Sequence, residues 1–210
     1  MISGKSMIRV LFVLAGWSLL IGCASSGPAA GHGEMQLPPG WTEADMQACM
    51  EAGTPGEMHE QMARGAGVWD GKCLSWMSPD MEPMPSTCKS TVKSVMGGRF
   101  LKYDIDGEMP GMGPYLGSGV IGYDNISKEF VSTYYDNYNT GLMIGTGELS
   151  ADGKTMNWTF TANCPITKKP MTYREIETIT GPRTKTFELF GPDPKTGKEY
   201  KIMSIEFKKR

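Results

Sequence analysis

The sequence predicts an all-β protein, an antiparallel up-and-down β-barrel of about ten strands preceded by two short helices. Three observations carry this. From Val68 onward apolar residues recur at every second position, the period of a half-buried strand. Turn-forming groups cut that stretch into about ten short segments, and no helix-length apolar period interrupts them. Sequential short strands make a meander, and closing a meander into a barrel removes its exposed edges.

Residues 1–22 read as a removable signal peptide. Lys5 and Arg9 supply its positive region, and Val10 to Ile21 is an almost unbroken apolar run. Such a run is too short to span a bilayer, which needs about 20 residues, and has the size of a signal-peptide core. Translation from Met7 would give a more compact signal. The segment Leu20-Ile21-Gly22-Cys23 resembles the lipobox of bacterial lipoproteins, which implies cleavage before Cys23 and lipidation of its thiol. Two or three acyl chains are needed because one holds a protein to a membrane only marginally. Ala24 in place of Asp implies sorting to the outer membrane, facing the periplasm.

Residues 23–40 are rich in Gly, Ala, Ser and Pro and read as a flexible tether. Residues 41–66 hold the helices. Thr42 with Asp45 opens the first, and Gly53 stops it. Thr54-Pro55-Gly56-Glu57 offers a cap, a proline at the first helical position and an acid three residues after the cap, for a helix ending near Gly65.

Residues 67–210 form the barrel domain. Its clearest strands are Met156 to Cys164 and the alternation Lys201-Met203-Ile205-Phe207. Turns are signalled at Gly97-Gly98, Tyr123-Asp124-Asn125, Asp136-Asn137, Asp152-Gly153, Gly181-Pro182 and Asp193 to Gly197. In an up-and-down barrel alternate loops share an end. The connections after the odd strands read as the longer ones: 77–86, 106–115, 136–141, 164–170 and 191–198. The long-loop rim is therefore the expected mouth.

The formal charge of -2 becomes -4 once Lys5 and Arg9 are removed with the signal, and no basic cluster appears, so nucleic-acid binding lacks electrostatic support. With Cys23 lipidated, Cys49, Cys73, Cys88 and Cys164 remain. An even number in an oxidising compartment favours two disulfides with three possible connectivities. Cys73 and Cys88 fall near one another on a predicted hairpin, where a bridge contributes about 3 kcal/mol; elimination leaves Cys49 with Cys164.

Several segments together resemble the bacterial domain-of-unknown-function family 1579. They are Gly67-Val68-Trp69, Gly97 to Leu101, Gly122-Tyr123-Asp124-Asn125, Asn139-Thr140-Gly141 and Asp152-Gly153-Lys154. The resemblance covers about residues 54 to 210. It implies a lipocalin-like (calycin-type) barrel and brings no catalytic residues with it. In such barrels a Gly-x-Trp on the first strand packs near a basic residue of the last, which implies Trp69 beside Lys209 or Arg210. The cysteine content and the methionine load depart from the family.

Catalytic chemistry finds few parts. The only histidines are His32, in the tether, and His59, read as a helix-surface residue. Histidine-dependent hydrolysis, zinc ligation and acid–base work are thus without their groups. Asp104, Asp106 and Glu108 with Asp124 and Asp136 could supply a carboxylate pair, but aspartates beside turns more simply cap them. No phosphate-binding glycine loop is present, and no cofactor is implied.

Methionine is the anomaly, at 17 residues. Met46 with Met50 and Met58 with Met62 are spaced to pack helix against barrel. Met77, Met81, Met84, Met109 and Met112 fall in the first two long loops. Thioethers there suit either Cu(I) or Ag(I) or varied apolar partners. Tyr103, Tyr115, Tyr123, Tyr134, Tyr135, Tyr138 and Trp158 supply aromatics, and of these Tyr103, Tyr115, Tyr134 and Trp158 are the candidate ligand-binding residues of the barrel interior. The expected function is a non-enzymatic, membrane-anchored lipoprotein that takes a small apolar or amphipathic ligand at the barrel mouth. Soft-metal binding through the rim methionines is the alternative, and a carboxylate hydrolase is a distant third.

Overall fold

Alternating residues commit each segment to one inner and one outer face, and ten such segments in sequence close on themselves. The computed structural model describes residues 37–210. Cys23, His32, the signal and most of the tether lie outside the described residues. Two helices, α1 (Glu43–Gly53) and α2 (Glu57–Ala63), precede ten strands. These are β1 (Gly67–Ser75), β2 (Met84–Val95), β3 (Phe100–Met109), β4 (Gly113–Asp124), β5 (Glu129–Asp136), β6 (Met143–Leu149), β7 (Thr155–Asn163), β8 (Pro170–Gly181), β9 (Thr184–Pro192) and β10 (Glu199–Lys209). Each strand pairs antiparallel with the next, and β1 pairs with β10 from Trp69↔Lys209 to Ser75↔Met203, so the barrel is closed. No described helix is long and apolar enough to cross a membrane.

The inner wall is built from rings laid over glycines. On β4 and β6, inward positions are small so that a neighbouring strand's aromatic can lie flat across them. A Cβ on Gly119 would stand 2.2 Å from the Thr133 carbonyl oxygen and 2.4 Å from the Tyr103 ring. One on Gly147 would stand 2.5 Å from the Trp158 ring. The core is the inward set that includes Trp69, Leu101, Phe130, Trp158, Phe160, Ile205 and Phe207.

The helices sit at the end of the barrel formed by the even-numbered connections. The α1 capping box forms as expected, with Asp45 N–H donating to Thr42 Oγ1 at 3.2 Å and Thr42 N–H to the Asp45 carboxylate at 2.8 Å. Arg99 Nε donates to the Gly53 carbonyl at 2.9 Å, and Asn125 Nδ2 to those of Ala52 and Thr54 at 3.1 and 2.8 Å. These contacts hold the C-terminus of α1 over the β2–β3 and β4–β5 turns.

Three expectations about the helices change. The second helix begins at Glu57 with Gly56 as its cap, because Thr54 Oγ1 is engaged by the Met50 carbonyl at 2.6 Å. His59 is not a surface residue: it is 6% exposed, its Nδ1 accepts from Gly56 N–H at 3.1 Å, and its ring meets Tyr123 edge-on. Only the Met58–Met62 pair packs against the core; α1 buries no residue, and Met50 is 55% exposed.

The connections also sort as two classes, with one correction. Residues 76–83, 137–142, 164–169 and 193–198 form one end, against the shorter 96–99, 125–128, 150–154 and 182–183 at the other. The expected long loop at 106–115 shrinks to 110–112, because Asp106 to Met109 keep pairing with Leu116 to Gly113. Positive φ angles at Gly111 (76°) and Gly113 (107°) allow that tight turn.

The disulfide expectation is corrected too, since all four cysteines are free thiols here. Gly71, not Cys73, faces Cys88, and Cys73 faces Ser86, so the two thiols sit diagonally with their sulfurs 3.5 Å apart. Cys49 lies on α1 at the helix-bearing end, whereas Cys164 lies in the β7–β8 connection at the opposite end.

Candidate ligand cavity

A cavity of about 460 Å³ occupies the barrel interior. Tyr103, Tyr115, Tyr134 and Trp158 come from β3, β4, β5 and β7, and the alternation of those strands turns all four into it. Trp158 is packed edge-on against Phe130 and tilted on Phe160, so it forms wall. The tyrosines form a linked polar strip. Tyr103 and Tyr134 stack at 6.3 Å, Tyr103 donates to the Thr133 carbonyl at 3.2 Å, and the Tyr115 and Tyr134 hydroxyls are hydrogen-bonded. Burial is the first cause that raises all three phenols, Tyr115 to about 12, so each is a neutral donor at physiological pH.

The main charged groups inside the barrel were not among the sequence candidates. Glu175 and Glu177 on β8 and Lys185 on β9 all line the cavity. Lys185 Nζ is 2.8 Å from Glu177 Oε2, and its side chain is only 11% exposed. The same ammonium lies 4.9 Å from the Trp69 ring centre and 5.3 Å from that of Phe207. Glu175 is half-buried, and its carboxyl makes no hydrogen bond among the described residues. Burial, then the charge of Glu177, push its carboxyl up to about 8, with Lys185 acting the other way. Glu175 is therefore mostly protonated at neutral pH. A signal for this existed: Met171, Tyr173, Glu175, Glu177 and Ile179 share one parity of β8, and Lys185, Phe187 and Leu189 one parity of β9. Acids and a lysine riding an apolar face are the visible mark of an interior charge cluster.

Of the other sequence candidates, Glu108 is an exposed residue bordering the cavity at its long-loop end, and the aspartates lie elsewhere. Asp104 points outward, where it accepts from Ser118 Oγ at 2.7 Å and pairs with Lys102 at 3.0 Å. Asp106 is an exposed partner of Lys89. Asp124 and Asp136 accept from turn backbone N–H groups of Ile126, Tyr138 and Asn139. Trp69 takes Lys209 as its basic neighbour, at 5.3 Å, while Arg210 pairs with Asp70 at 2.6 Å.

The five rim methionines share one end of the barrel, but Met77, Met81, Met84 and Met112 do not line the cavity; Met109 does. The lining reaches both ends of the barrel. At the long-loop end it includes Ser86, Glu108 and Met109, while Tyr173 and Ile202 pack against Gly191 just inside that end. At the helix-bearing end it includes Gln61, Arg64, Lys154, Pro182 and Lys209. Among the described residues no group of three His, Cys, Asp or Glu side chains is placed to hold a metal ion.

Residues 54–209 match the family described as Protein of unknown function (DUF1579). The crystal structure of Rv2717c from M. tuberculosis has the same fold, with a TM-score of 0.57 at 14% identity, covering 75% of this chain and 99% of that one. No curated protein matches the chain.

Proposed function

We propose that this chain, which belongs to the DUF1579 family, is an exported lipid-anchored binding protein whose barrel holds a small apolar or amphipathic molecule. The observation that carries this reading is the cavity of about 460 Å³ along the barrel interior. Small-molecule sites run from roughly 300 to 1,000 Å³, with apolar walls and a few placed polar groups. Here Phe130, Leu189 and Ile205 supply the wall, and the tyrosine strip and Glu175 supply the polar groups. Entry is at the helix-bearing end, between the β6–β7 and β8–β9 turns, where Lys154 and Pro182 border the cavity.

Nile red, a neutral dye whose emission shifts blue in apolar surroundings, reports on the cavity directly. The purified soluble domain is expected to bind it saturably, at one site. A variant with Ile105→Trp and Leu189→Trp, which fills the cavity from two walls, is expected to weaken binding at least tenfold while keeping its β-sheet circular dichroism. A spectrum that does not shift with the wild-type domain sinks the reading.

The anchor has its own test. Cells expressing the full chain are expected to incorporate labelled palmitate at Cys23 and to carry the protein into the detergent phase of a Triton X-114 extract. The Cys23→Ala variant is expected in the aqueous phase. Wild-type protein found unlabelled in the aqueous phase contradicts the anchor and leaves the cavity reading untouched.

A further inference from the structure

Along β8 and β9 three charged side chains line the cavity, Glu175, Glu177 and Lys185, and two of them engage each other. Lys185 is paired with Glu177 and lies against Trp69 and Phe207, and Lys209 lies against Trp69. Glu175 is left over. Its Cα partners are Trp158 on β7 and Leu189 on β9, so its carboxyl leaves the wall between an indole and an aliphatic side chain, well away from both barrel ends. It faces the cavity and has no hydrogen-bond partner among the described residues.

We propose that the ligand is an amphipathic organic cation, with its ammonium head paired to Glu175 and its apolar body along Trp158, Phe130 and Leu189. The inference rests on the cavity reading above and narrows it to a class of ligand. A carboxylate or phosphate head is disfavoured in this place, because the nearest ammonium, that of Lys185, is already held by Glu177. An ammonium meets the opposite situation. It gains an uncompensated carboxylate, and the electron-rich faces of aromatic rings attract cations once water is excluded. The titratable and charged groups around Glu175 are Glu177 on its own strand, Lys185 on β9 and Tyr103 on β3. With no cation bound, a proton takes the place at Glu175, since its carboxyl is raised to about 8. Binding of the ammonium therefore releases that proton.

Three probes of one chain length separate the possibilities: dodecylamine, dodecanol and sodium dodecanoate, each titrated against Nile red bound to the purified domain. The amine is expected to displace the dye at least tenfold more tightly than the alcohol, and the dodecanoate to be the weakest. An alkylammonium keeps its proton to about pH 10, as a lysine does. Its affinity is therefore expected to rise with pH, by up to about tenfold per unit, until Glu175 is ionised near pH 8, and then to level off. In Glu175→Gln the preference for amine over alcohol and the pH dependence both collapse, and retained dye binding by that variant reports an intact cavity. Equal displacement by amine and alcohol, a dodecanoate that binds best, or a preference that survives Glu175→Gln each overturns the assignment of the head group while the cavity reading stands. Failure of all three probes to displace bound dye also overturns it. A domain that never binds the dye takes down both.

Discussion

Glutamine in place of Glu175 is expected to make this protein more stable at pH 8 and to remove the slope in its stability between about pH 5 and pH 8. The sign follows from proton binding. In the unfolded chain this carboxyl titrates near its ordinary value of 4.5, whereas in the barrel it is raised to about 8. Between those values the folded state holds a proton that the unfolded state has lost, so folding is favoured at the acid end and weakens as pH rises. Below the lower value both states are protonated, and above the upper one both are ionised, so the dependence is confined to that window. Each unit of the difference corresponds to about 1.4 kcal/mol. Glu175 is only half-buried, which reduces the effect, and a gain of about 2 kcal/mol for Glu175→Gln at pH 8 is expected. The aspartates whose carboxyls are lowered by hydrogen bonds, such as Asp45 with Thr42 and Asp193 with Thr196, act in the opposite sense and below about pH 4, outside this window. Urea denaturation of both proteins at pH 5, 6.5 and 8 checks this. A wild-type stability that climbs across the range, or a slope unchanged by the substitution, contradicts the protonated interior carboxyl.

Methionine in place of Lys185 is expected to destabilise the protein. The ammonium is held inside the barrel by Glu177 at 2.8 Å and by the Trp69 and Phe207 rings. Methionine keeps much of the aliphatic bulk but leaves Glu177 without its counter-ion, beside a second carboxyl. Removing one partner of a buried pair costs several kcal/mol; with Glu177 partly in contact with water, a loss of about 2 kcal/mol at pH 7 is expected. Adding Glu177→Gln to Lys185→Met restores most of the stability, because no uncompensated charge remains. Equilibrium unfolding of the two single variants and the double variant measures the coupling. A Lys185→Met protein as stable as wild type at pH 7 means that the pair contributes nothing.

The barrel was legible in the sequence because its information is local and repetitive. Period-two strands such as Met156 to Cys164 and turn groups such as Asp152-Gly153 specify strand and break without reference to distant residues. The inward direction of Tyr103, Tyr115, Tyr134 and Trp158 followed from the same alternation. What the sequence misassigned depended on relations between segments. His59 looks like a helix-surface residue until α2 lies against the barrel and Tyr123 meets its ring. Cys73 and Cys88 share a hairpin, but a two-residue offset in register decides whether they face one another. Loop length was the only quantity the sequence offered for placing a mouth, whereas the cavity is bordered by residues gathered from separate segments, Glu108 and Met109 at the long-loop end and Arg64, Lys154 and Lys209 at the other. Glu175, Glu177 and Lys185 are a different case. Their parity was visible, but polar residues within an alternating run are ordinarily assigned to the solvent face, and only the register of β8 against β7 and β9 turns them inward.

On the reading proposed, the barrel interior is a site for a molecule and not merely loosely packed wall. Native mass spectrometry of the full chain, extracted gently from the envelope of cells that make it, tests this most directly. The expected result is a population heavier than the lipidated chain by the mass of one small molecule, reduced to the bare mass in the variant with Ile105→Trp and Leu189→Trp. The bare mass alone from wild-type protein, together with no uptake when dodecylamine is added in excess, contradicts it.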